Sequence, residues 1–317
     1  MPRPVILGVV GDSAAGKTTI TRGLVRILGE AQVTHVGLDD YHRYDRRQRA
    51  ERGITPLHPD ANYMDVMAQH LRLLRTRQPI LKPVYRHADG TFGPPEYVVA
   101  HSFAILEGLL GYHTVELCDL YDVRVFLAPP EELRRKWKVD RDCSRRGYTT
   151  GQVLEELDKR EPDSAAFIRP QERRADMVVS FRLAPEGGGG LAAELVLRPA
   201  LPHPDLSPVI DDVGSGITIE EHGDERRLSI PAELDPDEAA AIEEAVWQRM
   251  DFASHLRTER LGEFTVATEL RRSETLALVQ LLILYHLVTA KAAVALGGEG
   301  ARREPAEAVE DPEAVAS

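Results

Sequence analysis

The residues with the clearest chemistry are "GDSAAGKT", Gly11 to Thr18. They fit G-x-x-x-x-G-K-[ST] without a mismatch, between an apolar run and a helix-like segment, which is the context this motif requires. Backbone amides of Gly11, Asp12, Ser13, Ala14, Ala15 and Gly16, with the helix start at Lys17, Thr18 and Thr19, would cradle nucleotide phosphates. Lys17 would reach the outer phosphates and the Thr18 hydroxyl would ligate Mg2+. Such a metal site also needs an acid at the end of a neighbouring strand. Glu107, closing "FAILEG", holds that position, and Gly108 after it permits close backbone approach.

A second constellation is "LDDYHRYDRR", Leu38 to Arg47. A kinase acting on a hydroxyl needs a carboxylate near the acceptor oxygen to take its proton. Asp39 and Asp40 end the second predicted strand, and the carboxyl ends of parallel strands line the ligand crevice. Adjacent side chains point in different directions, so one of the two is expected to be the base, and spacing alone leaves open which. Arg43, Arg46, Arg47, Arg49 and Arg52 follow within ten residues. For Arg47, Arg49 and Arg52 a solvated helix face is the expectation. An arginine beside a catalytic acid can instead clamp a substrate phosphate. "KPVYRH", Lys82 to His87, adds further cationic and hydrogen-bonding groups, among them Tyr85 and His87. Together they point to an anionic acceptor.

These groups need a scaffold. Apolar runs predict strands at 4–10, 33–38, 102–108, 122–128 and 175–181. Helical periodicity covers 17–28, 64–75, 130–142 and 151–160. Strands alternating with helices predict an α/β fold with a mostly parallel sheet covered on both faces. This P-loop core is expected over 1–183. "APEGGGG" (184–190) reads as a turn or linker. Antiparallel strands are predicted at 191–198, 216–221 and 226–230, and helices near 235–254 and 273–294, so that 184–295 packs on the core. The tail over 296–317 has no apolar periodicity and is expected to be disordered.

Composition narrows the function. The 317 residues carry 39 basic and 51 acidic side chains, a net charge of −12. That argues against a nucleic-acid binder, which needs a basic face. Two cysteines, Cys118 and Cys143, cannot build a disulfide framework, and a reduced cytoplasmic setting fits. No signal peptide is expected, since "PVILGVV" follows the N-terminus directly. In "LALVQLLILYHLVTAKAAVAL" (276–296), Gln280, His286 and Lys291 interrupt the run of about 18 apolar residues that a membrane span requires, so it reads as a buried helix. A guanine-reading Asn-Lys-x-Asp is impossible, because Asn62, the only asparagine, precedes Tyr63.

The chain resembles the phosphoribulokinases, within the wider uridine kinase group. The resemblance is carried by "GVVGDSAAGKTT", "LDDYHRYDRRQR", "GITPLHPDANYMDVM", "KPVYRHADG", "GPPEYV", "ILEGL", "WKVDRDCSRRGY" and "FIRPQERRADMVV", in family order over about 1–182. It continues more weakly through "SPVIDDVGSGITI" and "SHLRTERLGEFTVATEL", nearly to residue 290. It implies a P-loop kinase fold and ATP- and Mg2+-dependent phosphorylation of the 1-hydroxyl of ribulose 5-phosphate. Asp39, three residues before His42, matches the family's general base. Glu107 matches the acid of the metal nucleotide, and His42 and Arg46 match sugar-phosphate ligands. Arg141, Arg146 and Arg160 fall in segments resembling the mobile lid and its neighbour, and a homodimer is implied. Plant-type members carry cysteines where this chain has Ala15 and Gly37, so their thiol–disulfide switch cannot operate. Glu161 stands where relatives tend to carry a base. The competing readings are a related kinase acting on a nucleoside or another sugar phosphate, and a non-catalytic nucleotide-binding module.

Overall fold

The computed structural model describes residues 2–184, 190–214, 216–266 and 269–302, excepting the side chains of 145–146, 211–213 and 266. Five parallel strands form the centre: β1 (Val5–Gly11), β2 (Val33–Gly37), β5 (Phe103–Gly108), β6 (Val123–Leu127) and β7 (Met177–Leu183). Three further strands, β8 (Leu191–Leu197), β9 (Thr218–His222) and β10 (Glu225–Ile230), continue the same sheet antiparallel. The order across all eight is β2-β5-β1-β6-β7-β8-β10-β9. The α/β class with a mostly parallel sheet is thus as expected. β7 and β8 pair antiparallel up to Leu183 and Leu191, and residues 185–189 of "APEGGGG", the expected turn or linker, lie outside the described residues.

Alternation along β1 divides the core between the two faces of the sheet. Val5, Leu7 and Val9 join one apolar cluster with α1 (Lys17–Leu28) and α9 (Glu274–Ala295). Ile6 and Val10 join the other, with α3 (Met64–Arg75). Position 8, on this second side, is filled by glycine because the Tyr112 ring occupies the space a Cβ would need, with Tyr112 Oη 2.5 Å from where it would stand. The phosphate loop sits at the carboxyl end of β1, between β5 and β6.

By length and composition α9 could cross a membrane, yet most of its surface packs against the chain's own sheet and α1. Gln280 within it lies against Gly23 of α1 and accepts from the Gly262 amide at 2.9 Å. Residues 297–302 also correct the expectation of a structureless tail. Arg3 donates to Glu299 O, and Arg302 pairs with the buried Asp176, so this stretch lies against the amino ends of the strands. The tail beyond, 303–317, lies outside the described residues.

The remaining elements are α2 (Arg46–Arg52), β3 (Ile80–Arg86), β4 (Thr91–Val98), α4 (Val115–Cys118), α5 (Glu131–Arg146), α6 (Thr150–Asp163), α7 (Ser207–Val213), α8 (Pro236–Gln248), β11 (Glu263–Val266) and β12 (Glu269–Arg272). The β3–β4 and β11–β12 hairpins were not foreseen. Pro83, Pro94 and Pro95 read as strand breakers, but a two-stranded ribbon tolerates proline because each strand has a free edge. Helices α5 and α6 each run about a turn beyond the expected bounds. Gly147 (φ 72°) ends the first, and Thr149 starts the second through a capping box with Gln152.

Candidate active site

The phosphate loop has the backbone its sequence demands. Gly11 and Gly16 have φ of 153° and 95°, and a Cβ on Gly11 would stand 2.5 Å from Leu127 O. Ala14 also takes a positive φ, 65°, a cost typical of functional loops. Lys17 Nζ lies 2.8 Å from both Gly11 O and Asp12 O. Burial lowers the Lys17 pKa, opposed by Asp39, Glu107 and Asp12. Asp12 braces the loop: its carboxylate accepts from Ser13 N at 2.7 Å and from Ser164 Oγ, and Arg134 of α5 lies 3.5 Å away.

Glu107 ends β5 beside this loop. Its Oε1 is 3.4 Å from Thr18 Oγ1, its Oε2 accepts from Thr21 Oγ1 at 3.2 Å, and His35 Nε2 is 3.3 Å from Oε1. No group of three His, Cys, Asp or Glu side chains among the described residues could hold a metal alone. One hydroxyl and one carboxylate suit Mg2+ instead, a hard ion that keeps waters and takes its other ligands from substrate phosphates.

The adjacent acids separate by partner. Asp40 accepts from Tyr85 N at 2.9 Å and from Lys82 Nζ, tying the turn after β2 to β3. Asp39 lies in the cleft with 42% of its side chain exposed, and His87 Nε2 is 3.9 Å from its Oδ2. Partial desolvation in the cleft would raise the Asp39 pKa, but His42, Lys17, His87 and Arg160 outweigh it and hold the carboxyl below its usual range.

The β3 hairpin carries Tyr85 and His87 to this acid, with ring centroids 4.7 Å apart for His42 and Tyr85 and 5.1 Å for Tyr85 and His87. Arg46 donates to His87 O at 2.7 Å and packs against Gly90. Phosphate loop, Glu107, Asp39, His42, Arg46, Tyr85, His87, Arg141 and Arg160 all line one cleft.

The family model described as "Phosphoribulokinase / Uridine kinase family" matches residues 6–183, more than half of the chain. The chain belongs to the phosphoribulokinase/uridine kinase family. The phosphoribulokinase of Synechocystis is 39% identical over 179 residues, 56% of this chain and 54% of that protein. A uridine kinase of Latilactobacillus sakei is 31% identical over 193 residues, 60% of this chain and 89% of its own. The chain thus spans about half the length of the phosphoribulokinase it matches and nearly all of the uridine kinase. The structure of phosphoribulokinase from Rhodobacter spheroides has the same fold, with a TM-score of 0.59 at 18% identity, covering 80% of this chain and 98% of that one.

In this member of the phosphoribulokinase/uridine kinase family, α5 and α6 roof the cleft. Arg134 donates to Ser13 O at 3.1 Å, and Trp137 stands over Gly16. Arg141 donates to Asp142 at 2.9 Å, and Arg160 to Glu156 at 2.6 Å. The Arg146 side chain lies outside the described residues. Glu161 pairs with Arg169. Lys138, which sequence reasoning passed over, is buried in this roof. Its Nζ donates to Asp142 at 2.6 Å, and burial with Arg141 and Arg160 nearby pushes its pKa down to about 8. The i, i+3, i+4 spacing of Lys138, Arg141 and Asp142 could have shown that they share a face.

Arg49 corrects the expectation of a solvated arginine face. It is 7% exposed; its Nη1 donates to Tyr44 O at 2.5 Å and its Nη2 to Tyr85 Oη at 2.6 Å. Arg47 does face solvent, paired with Glu51, and Arg52 covers the Tyr44 ring. A capping box of Asp45 and Gln48 starts α2, and Arg49 is the residue of this helix that is buried.

Proposed function

We propose that this chain transfers the γ-phosphoryl group of ATP to a hydroxyl of a sugar phosphate, with ribulose 5-phosphate the first candidate and ribulose 1,5-bisphosphate its product. The observation that carries this reading is the division of labour between the two acids. Asp40 is committed to Lys82 and Tyr85, which leaves Asp39 as the carboxylate in the cleft that Lys17 also lines. A low pKa keeps Asp39 ionised at neutral pH. A weak base suffices where the transition state is loose and the acceptor proton departs late.

Lys17 and the loop amides would bind the outer phosphates, and Thr18 and Glu107 would hold Mg2+, which supplies charge neutralisation to the phosphoryl oxygens. Arg46 and His87 stand on the acceptor side. Lys138, Arg141 and Arg160 in the roof would meet the nucleotide or acceptor phosphates and exclude water from the transfer. The names of relatives, phosphoribulokinase and uridine kinase, support the two acceptor classes. The cationic lining favours the phosphorylated one. A cytoplasmic location and a homodimer complete the reading.

ATP consumption measured against ribulose 5-phosphate, uridine and pantothenate separates the readings. Turnover is expected with ribulose 5-phosphate, and its absence alongside turnover of another acceptor overturns the substrate assignment. Glu107→Gln is expected to raise the Mg2+ concentration for half-maximal rate by about tenfold or more, as losses around metal sites commonly do. A Mg2+ titration of the initial rate checks this.

A further inference from the structure

Beneath the proposed acceptor residues lies a second layer of polar side chains that sets which groups donate and which accept. Residues 61–63 run antiparallel to 41–43, with Arg43 N donating to Ala61 O and Tyr63 N to Tyr41 O, both at 2.8 Å. This pairing places Asn62 opposite His42, with Asn62 Oδ1 2.7 Å from His42 Nδ1. The Asn62 amide nitrogen donates to Pro56 O at 3.1 Å and to His58 O at 2.9 Å. Both amide protons are therefore used on carbonyls, and Oδ1 is the end facing the imidazole. Only Nδ1–H of His42 can complete that contact. Nε2, the other ring nitrogen, takes no part in that contact, and His42 is one of the residues that line the cleft.

Tyr85 is set in the opposite sense. Its Oη accepts a hydrogen bond from Arg49 Nη2 at 2.6 Å, and the guanidinium lies 5.1 Å from the ring centroid. With that lone pair engaged by a cation, the phenol's own proton is the one available to a ligand. With the two rings 4.7 Å apart, His42 would offer an acceptor and Tyr85 a donor, which is the pattern a hydroxyl matches and a phosphate does not. A phosphate oxygen meets a donor at Tyr85 but a lone pair at His42 Nε2.

We propose that Asn62 and Arg49 are positioning residues that fix this polarity, so that His42 and Tyr85 grip a hydroxyl of the acceptor and leave its phosphate to other cations of the cleft. This rests on the reading of the cleft as a kinase acceptor site. It departs from the expectation that His42 binds the sugar phosphate. The groups acting on His42 are Asp39 from the turn after β2, Arg49 from α2, Asn62 and His87. Burial leads among the influences and lowers the His42 pKa, with Arg49 and His87 adding to it and Asp39 and Asn62 opposing. The ring is neutral at neutral pH, as an accepting Nε2 requires.

The test is the sign of a pH dependence, measured with whichever acceptor turns over. A neutral His42 that accepts from a hydroxyl makes kcat/KM for the acceptor fall as pH drops through the His42 pKa, below the ordinary value of about 6.5. An imidazolium that binds phosphate makes it rise over the same window, and that outcome overturns the proposal. Asn62→Asp puts a carboxylate against Nδ1–H and is expected to move the acid limb up by about one pH unit or more. Titration of the acceptor's own phosphate stays where it was, so a folded Asn62→Asp enzyme with an unmoved limb also overturns the assignment.

Two measurements hold if Asn62→Asp does not fold. NMR of isotope-labelled histidine in the wild-type chain should show His42 as the Nδ1–H tautomer at neutral pH. The Nε2–H tautomer or imidazolium there overturns the proposal, whatever the substrate proves to be. Arg49→Lys should raise KM for the acceptor about tenfold, the effect of losing roughly one hydrogen bond to a charged group, with KM for ATP unchanged. Because Arg49 acts through Tyr85, Arg49→Lys should cost little further in a Tyr85→Phe background. Full additivity of the two substitutions contradicts it. Failure of every acceptor in the panel refutes the kinase reading instead, and leaves the tautomer result standing by itself.

Discussion

Asp39→Asn is expected to lower kcat by about a thousandfold, within the range that a positioned general base contributes. The substitution keeps the size and one oxygen of the carboxylate but removes its capacity to take a proton. Nucleotide affinity should survive, because on this reading Lys17 and the loop amides, not Asp39, would hold the phosphates. Single-turnover rates together with titration of a non-hydrolysable ATP analogue would read both quantities. Near-normal turnover in Asp39→Asn would return the role to Asp40. The geometry argues against that outcome: both Asp40 oxygens are already occupied, one by the Tyr85 amide and one by Lys82. Asp40→Asn should act differently, loosening the β3 hairpin and so raising the acceptor KM more than it lowers kcat.

The largest effect on stability is expected far from the cleft, at the amino ends of the same strands. Asp176 precedes β7 and is 1% exposed. It accepts from the Arg124 backbone amide at 2.9 Å and from Arg124 Nη2 at 2.9 Å, and it also pairs with Arg302. Arg124, itself 4% exposed, also reaches Cys118 Sγ at 2.8 Å. Asp176→Ala strands this guanidinium in the interior without its counter-charge. Breaking one partner of a buried pair costs about 3–5 kcal/mol, a large share of the roughly 5–15 kcal/mol that keeps a domain folded. The denaturant midpoint should fall accordingly. Turnover per folded molecule should be unchanged, because the phosphate loop and Glu107 stand at the opposite, carboxyl ends of β1 and β5.

The two predictions mark the two ends of one sheet. At the carboxyl ends, Asp39 and Glu107 remain partly open to the cleft. At the amino ends, Asp122 and Asp176 are each surrounded by donors, Asp122 by Arg3, Arg75 and the Ile6 amide. Acidic side chains are thus left accessible to the cleft at one end of the sheet and tied into closure at the other.

Much of this was legible in the residues themselves. The phosphate loop is a local motif: glycines where φ must be positive, a lysine, a hydroxyl and a helix start, all within eight positions, so spacing alone defines it. The parallel strands were legible because both faces of the sheet are covered, and their apolar runs stand out from everything around them. The β3–β4 hairpin was not, since proline reads as a breaker until a free strand edge is known. Spacing alone did not separate Asp39 from Asp40 either; only the family resemblance pointed to Asp39. Their separation depends on Lys82 and the Tyr85 amide, more than forty residues away. The inward turn of Arg49 and the pairing of Asn62 with His42 have the same origin, in the packing of α2 and of residues 61–63 around the cleft. Local backbone chemistry is written in consecutive residues. The polarity and burial of an acceptor site are set by neighbours that only tertiary folding brings together.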